Sequence, residues 1–132
     1  MADKLHFNLV SPERELMSAD VDQVDIPGAE GLLGVLPKHS PVMTILAPGV
    51  VRVKDGSEET RIFVRGGFAD ISPAGLTVLA EEAVLVKDLN ADDLARRIKN
   101  REEDLADMDT LPETRRQAEM ELKQLKELQA AL

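Results

Sequence analysis

The chain has 132 residues, a formal net charge of −9, no cysteine and only three aromatic residues, all Phe. The length fits one domain, or a domain with an appendage, and is enough to bury a core. The composition excludes disulfides, thiol nucleophiles and thiolate metal sites. The negative charge and the lack of Trp and Tyr argue against nucleic-acid binding, which needs excess Lys and Arg and base-stacking platforms.

At the N-terminus, MADKLHFNLV lacks a basic segment followed by an apolar stretch, so no secretory signal is read there. No apolar run approaches the roughly 20 residues that span a bilayer, and a soluble chain is expected. In LHFNLV, Leu5, Phe7 and Leu9 alternate with His6 and Asn8, which predicts a half-buried strand. In VDQVDIP, Val24 and Ile26 flank Asp25. Then comes IPGAEGLLGVLPKHSP at residues 26–41, with Gly28, Gly31 and Gly34 at every third position and Pro37, Lys38, His39, Ser40 and Pro41 behind them. Further on, two strand-like runs join around Asp55-Gly56, a good hairpin turn. Val51 and Val53 alternate with Arg52 and Lys54, and Ile62 and Val64 with Arg61 and Phe63. FADISPAGLTVLA repeats the unit with Pro73 and Gly75 in its turn. Short strands at close spacing predict an antiparallel sandwich or flattened barrel.

The composition changes near residue 88. All eight glycines and six of the seven prolines lie before it. Two domains are expected: residues 1–88 as a β-sandwich, and residues 89–132 as a two-helix antiparallel hairpin. Asn90 can cap the first helix, with Asp92 and Asp93 in its opening turn. Leu94, Ala95, Ile98 and Leu105 make a thin apolar stripe that should end near Asp109. Thr110, Pro112 and Glu113 have the spacing of a capping box. Ala118, Leu122, Leu125 and Leu132 form the stripe of the second helix. Both stripes are narrow, so the hairpin should be marginal and mobile.

The 26–41 stretch is tested first as chemistry. It has neither a Walker loop nor a dinucleotide fingerprint, because Gly28, Gly31 and Gly34 have the wrong spacing. His39 could serve acid–base work, but no G-x-S-x-G elbow accompanies it. Its neighbour Ser40 is badly placed to be its nucleophile. With His6 as the only other histidine and no cysteine, a metal site is not expected. The plainer reading of His39 is a loop residue whose ring bonds backbone. Asp25 and Asp70 read as solvated strand residues. No catalytic residue is assigned.

The residues also resemble a known family. The loop at 27–41, the Leu46–Gly49 turn and the Val64–Phe68 segment occur in the order and spacing of the ε subunit of bacterial F-type ATP synthases, the counterpart of mitochondrial δ. The likeness covers residues 4–88 and continues more weakly through the helical pattern. It implies a ten-stranded β-sandwich followed by a helical hairpin. It also implies a non-catalytic rotor subunit of the central stalk that couples rotation of the γ subunit to the proton-driven c ring. Such a subunit is a peripheral protein at the cytoplasmic face of the cell inner membrane, reaching the membrane only through the complex.

On this resemblance, Ala29, Glu30 and Gly31 would meet the c ring. Gly28, Gly34, Pro37, His39 and Pro41 would shape the loop, since glycine permits close approach and proline limits the ordering entropy lost on docking. Met43, Arg65 and Phe68 are candidates for the γ contact. The C-terminal helices could reach the α and β subunits and restrain hydrolysis, with Arg115, Arg116, Lys123 and Lys126 as the basic residues on offer. Some family members bind ATP through Ile/Leu-Asp-x-x-Arg-Ala. Here Asp93 and Arg96 match, but Asp92 and Arg97 replace the apolar residue and the alanine. ATP binding is therefore not expected, and ordinary i,i+4 pairing of Asp92 with Arg96 and of Asp93 with Arg97 explains the charges. No other cofactor is implied. Two alternatives remain at this point: a stand-alone β-sandwich recognition module, and a small hydrolase using His39.

Overall fold

The computed structural model describes residues 3–132 and divides the chain after Lys87 into a β unit and a helical unit. The β unit contains β1 (Leu5–Val10), β2 (Glu15–Val21), β3 (Gln23–Gly28), β4 (Gly31–Val35), β5 (Val42–Ile45), β6 (Gly49–Asp55), β7 (Glu58–Ser72) and β8 (Gly75–Leu85). The sheet order is β2-β1-β8-β7-β6-β3-β4, with β5 pairing β7. Neighbours are antiparallel except β1 and β8, which run parallel. Parallel pairing needs a long connection, and here the whole of β2–β7 supplies it.

Among the described residues there are eight strands rather than ten, and the sheet does not close, because β2 and β4 end it without pairing each other. The count is lower because β7 and β8 are long and each serves two layers. Residues 58–64 of β7 pair β6, whereas residues 68–71 pair β5. Between these stretches Gly66 and Gly67 have φ of +72° and +101°. A left-handed pair of residues turns the strand and inverts its alternation. Ile62 and Val64 face the core before the glycines, and Ala69 and Ile71 after them. In β8 the inward set changes from Leu76, Val78 and Ala80 to Ala83 and Leu85. One continuous core results, shared by Phe7 and Leu9 of one layer and Val24, Ile26, Val51 and Val53 of the other.

The glycine at 67 is required. A Cβ there would lie 1.8 Å from the Leu79 carbonyl oxygen. Asp25 is buried rather than solvated. It accepts hydrogen bonds from Gln23 Nε2 at 2.6 Å and Lys54 Nζ at 3.0 Å. Burial alone would raise its pKa; the Gln23 and Lys54 bonds outweigh that and hold it below the usual carboxylate range. Its cross-strand neighbour Gly34 has no side chain, which leaves room for the carboxylate.

The helical unit contains α1 (Ala91–Ala106) and α2 (Pro112–Ala130). The Asn90 side chain accepts from the Asp93 N–H at 3.0 Å, as the spacing predicts. Leu94 and Ile98 of α1 and Ala118 of α2 are buried, whereas Ala95 and Leu132 are exposed. The expected capping box does not form. Leu111 occupies the cap position of α2 without a side-chain bond, and Pro112 opens the helix. The Thr110 hydroxyl donates instead to the Asp104 carbonyl at 2.8 Å, an orphan acceptor at the end of α1. The helix stops at Ala106 rather than Asp109 because Asp107 takes up extended backbone.

Candidate functional site

Half of the stretch singled out in the sequence is paired strand rather than loop. Gln23–Gly28 and Gly31–Val35 form a hairpin whose turn is only Ala29 and Glu30. Both turn residues are exposed. Gly31 has φ of +130°, a conformation that favours glycine. Gly28 is buried, and a Cβ there would meet the Gly31 carbonyl oxygen at 3.0 Å. The Ala29 N–H donates to the Ile45 carbonyl and the Ala47 N–H to the Pro27 carbonyl, each at 2.8 Å. The tip is thus stitched to the neighbouring segment and presents Glu30 and exposed Leu32 on a stiff base.

Residues 36–41 form the true loop. Lys38 has φ of +62° and pairs with Asp3 at 2.8 Å, which raises its pKa. Pro37 precedes it, and exposed Pro41 leads into β5. His39 Nδ1–H donates to the Ser40 carbonyl oxygen at 2.7 Å. The ring therefore faces its neighbour's backbone rather than its hydroxyl. Asp70 is exposed on β7. No group of three or more His, Asp or Glu side chains is placed to hold a metal among the described residues.

A second surface lies on the outside of β5, β7, β8 and β1. Ile45 sits opposite Phe68, Phe68 opposite Leu79, and Leu79 opposite Val10. Cross-strand partners share a face, so these four make one apolar row. Ile45 is 69% exposed, Met43 67%, and Phe68 and Leu79 37% each. A shallow groove between Pro12, Phe68 and Leu79 continues the row. Adjoining exposed apolar side chains of this kind mark contact surfaces. Of the three residues proposed for a partner contact, Met43 and Phe68 fall here and Arg65 does not. Arg65 pairs with Glu82 beyond the glycine inversion, in the register of Phe63 and Val84, and its side chain is only 18% exposed. Sequence reasoning missed Ile45 and Leu79. A signal was available, because Val78-Leu79-Ala80 is apolar at three consecutive positions, the mark of a strand apolar on both faces.

In the helical unit, Arg96 pairs with Asp93 at 2.6 Å and Arg97 with Asp93 at 3.2 Å. Asp93 thus serves both arginines, and the expected Asp92–Arg96 pair is replaced by the shorter i,i+3 contact. Arg116, Lys123 and Lys126 are exposed. Arg115 is not free: its guanidinium donates to the carbonyls of Leu105 at 2.7 Å and Asp107 at 3.0 Å. No helix among the described residues is long and apolar enough to cross a membrane.

Fold and surfaces together define a β-sandwich protein with a C-terminal helical hairpin and an exposed apolar row on its sheet. The family model for the beta-sandwich domain of the ATP synthase Delta/Epsilon chain matches residues 4–86. The ATP synthase epsilon chain of Parvibaculum lavamentivorans is 52% identical over 97% of this chain and 97% of its own. That of Mesorhizobium japonicum is 53% identical over 100% of this chain and 98% of its own. This chain belongs to the ATP synthase delta/epsilon family. Among solved structures, a chain of the Euglena gracilis mitochondrial ATP synthase OSCP/F1/c-ring assembly shares the fold with a TM-score of 0.81 at 24% identity, covering 99% of this chain and 82% of that one. A chain of the Tetrahymena thermophila ATP synthase central stalk/c-ring matches with a TM-score of 0.64 at 14% identity, over 98% and 97%.

Proposed function

We propose that this chain is a non-catalytic subunit of the ATP synthase central stalk, seated between the γ subunit and the c ring and coupling their rotation. Support comes from the family, and from similar folds in a central stalk/c-ring assembly and an OSCP/F1/c-ring assembly. One observation carries the contact assignment: the row Ile45–Phe68–Leu79 leaves large side chains in water on a unit that already has a complete core. Burying such a row against γ would gain roughly 25 cal/mol for each Å² removed from water. The stiff tip Ala29–Glu30–Gly31 is the surface offered to the c ring. There Glu30 would pair with a basic loop residue and add about 0–1 kcal/mol, fixing position more than affinity. Gly28, Gly34, Pro37, His39 and Pro41 hold the shape behind that tip.

The chain is read as peripheral, reaching the cytoplasmic face of the inner membrane through the complex. The helical unit is read as conditionally restraining ATP hydrolysis by offering Arg116, Lys123 and Lys126 to the α and β subunits. Glu119 and Glu127 dilute that charge, so restraint should be weak. ATP is read as not a ligand, because Asp92 and Arg97 stand where the family's ATP motif has an apolar residue and an alanine.

Co-purification with γ tests the reading directly. The parent chain should be retained, and Phe68→Glu should be lost from the complex while remaining folded. Retention of that variant at parent affinity removes the apolar row from the interface. Glu30→Lys should fold normally and lower coupled proton pumping. Deleting residues 89–132 should raise hydrolysis by the assembled complex, and an unchanged rate would remove the inhibitory role.

A further inference from the structure

The sandwich layer built from β4, β3, β6 and the first half of β7 carries cations on its outer face. Val24, Val51, Val53 and Ile62 point into the core, so by alternation Asp25, Arg52, Lys54 and Arg61 point away from it. The register sets Gly34, Asp25, Arg52 and Arg61 side by side across the four strands. Arg52 and Arg61 are therefore direct cross-strand partners, and like charges placed so destabilise a sheet. Asp25 lies beside Arg52, but it is buried and already accepts from Gln23 and Lys54. Glu59 comes no closer to Arg52 than 3.9 Å, beyond hydrogen-bond distance. Arg61 is half-buried and, among the described residues, has no ion pair or side-chain hydrogen bond. Two ordinary reasons for cations on strands fail here. Charges guard sheet edges against pairing, but β6 and β7 are interior strands. Charge also keeps a chain soluble, but this chain already has a net charge of −9, and each added cation lowers its magnitude.

From this register we infer that Arg52 and Arg61, with Lys54 beside them, form a docking surface for an acidic segment of a partner protein. Each guanidinium is a planar fork that grips a carboxylate with paired N–H donors. Two forks side by side take two neighbouring acidic side chains. Their carboxylates also cancel the repulsion between the arginines, so binding relieves a cost that the free chain carries. Charge complementarity selects the occupant. The patch is positive on a chain of negative total charge. A short acidic segment meets the patch alone, whereas a broad anionic bilayer also faces the chain's excess carboxylates. The row Ile45–Phe68–Leu79 belongs to the other layer, because Phe68 pairs β5 beyond the glycine inversion while Arg61 pairs β6 before it. The two surfaces thus lie on opposite outer faces of the sandwich and can be occupied together. The inference goes beyond the function proposed above and needs only the β unit.

The test follows backbone amide shifts of the full, isotope-labelled chain during titration with hexaglutamate at low salt. Saturable shifts should centre on Arg52, Lys54 and Arg61 and their strand neighbours. Arg52→Gln and Arg61→Gln should each weaken binding about tenfold, and Arg96→Gln in the helical unit should match the parent. Absence of saturable shifts overturns the docking surface, as do shifts spread equally over the basic residues of both units or equal weakening in Arg96→Gln. Urea unfolding separates docking from a structural role. Removing one of two opposed cations should leave the Arg61→Gln midpoint at or above that of the parent, and a lower midpoint overturns the proposal. Inorganic phosphate or phosphatidylglycerol vesicles that produce the same shifts at equal anionic charge overturn the choice of an acidic protein segment. Phe68→Glu, which should lose γ, should bind hexaglutamate as the parent does. Loss of both in that variant would merge the two surfaces and overturn the proposal.

Discussion

The β unit and the helical unit are held together by different forces. In the β unit, side chains from every layer join one core, and Phe7, Leu9, Val24, Ile26 and Val51 have no exposure at all. Its charged contacts are additions to that core, such as Lys4, which bridges Asp22 at 2.6 Å and Asp55 at 2.7 Å. In the helical unit the order is reversed. Few residues are fully buried, Leu94, Ile98 and Ala118 among them, and polar contacts stand beside them: Arg101 to Glu121, and Arg115 to the carbonyls of Leu105 and Asp107. A core of packed methyl groups has one low-energy arrangement and resists deformation. A polar contact can exchange its partner for water at modest net cost.

The largest expected effect attacks the strand inversion. Gly67→Ala places a methyl group inside the Leu79 carbonyl at positive φ and should destabilise the β unit by about 3–5 kcal/mol. Gly56→Ala also sits at positive φ, but in open space, and should cost only about 1 kcal/mol. Urea unfolding of both variants measures the difference. Equal midpoints would show that backbone conformation, and not the crowded inversion, makes glycine necessary.

The next effect compares the two units directly. Ile62→Ala removes fully buried side-chain volume and should cost about 2–5 kcal/mol. Amide exchange should then quicken throughout the strands. Ile98→Ala should quicken exchange in residues 91–130 only. If Ile98→Ala loosened the strands equally, the division into a rigid and an adjustable unit would fail.

The smallest effect is electrostatic. The Asp25 carboxyl titrates below its ordinary value in the folded chain. Such a group stabilises the fold above its unfolded pKa, about 3.9, and that stability is lost as pH falls through the lower folded value. Asp22 behaves likewise, held down by the Lys4 bond and then by the Gly56 N–H. Unfolding midpoints of the parent should fall between about pH 5 and pH 3, and Asp25→Asn should flatten part of that fall, by about 1 kcal/mol. An unaltered profile would show that the Lys54 pair contributes nothing net.

Sequence alone determined the division near residue 88, the existence of most strands, the Asn90 cap and the family. These follow from local rules: alternation, turn residues, capping and an ordered set of motifs. Tertiary structure decided what depends on contacts distant in sequence. It made two long strands serve both layers, because Gly66 and Gly67 invert the pleat. It buried Asp25 by placing Lys54 beside it and leaving Gly34 bare. It separated Arg65 from Met43 and Phe68, and joined Ile45 to Leu79. It also turned Arg115 from a surface charge into the cap of a neighbouring helix. The physical reason is common to all of these. A residue's chemistry is written in the chain, but its solvent exposure and its partners are set only when distant segments meet.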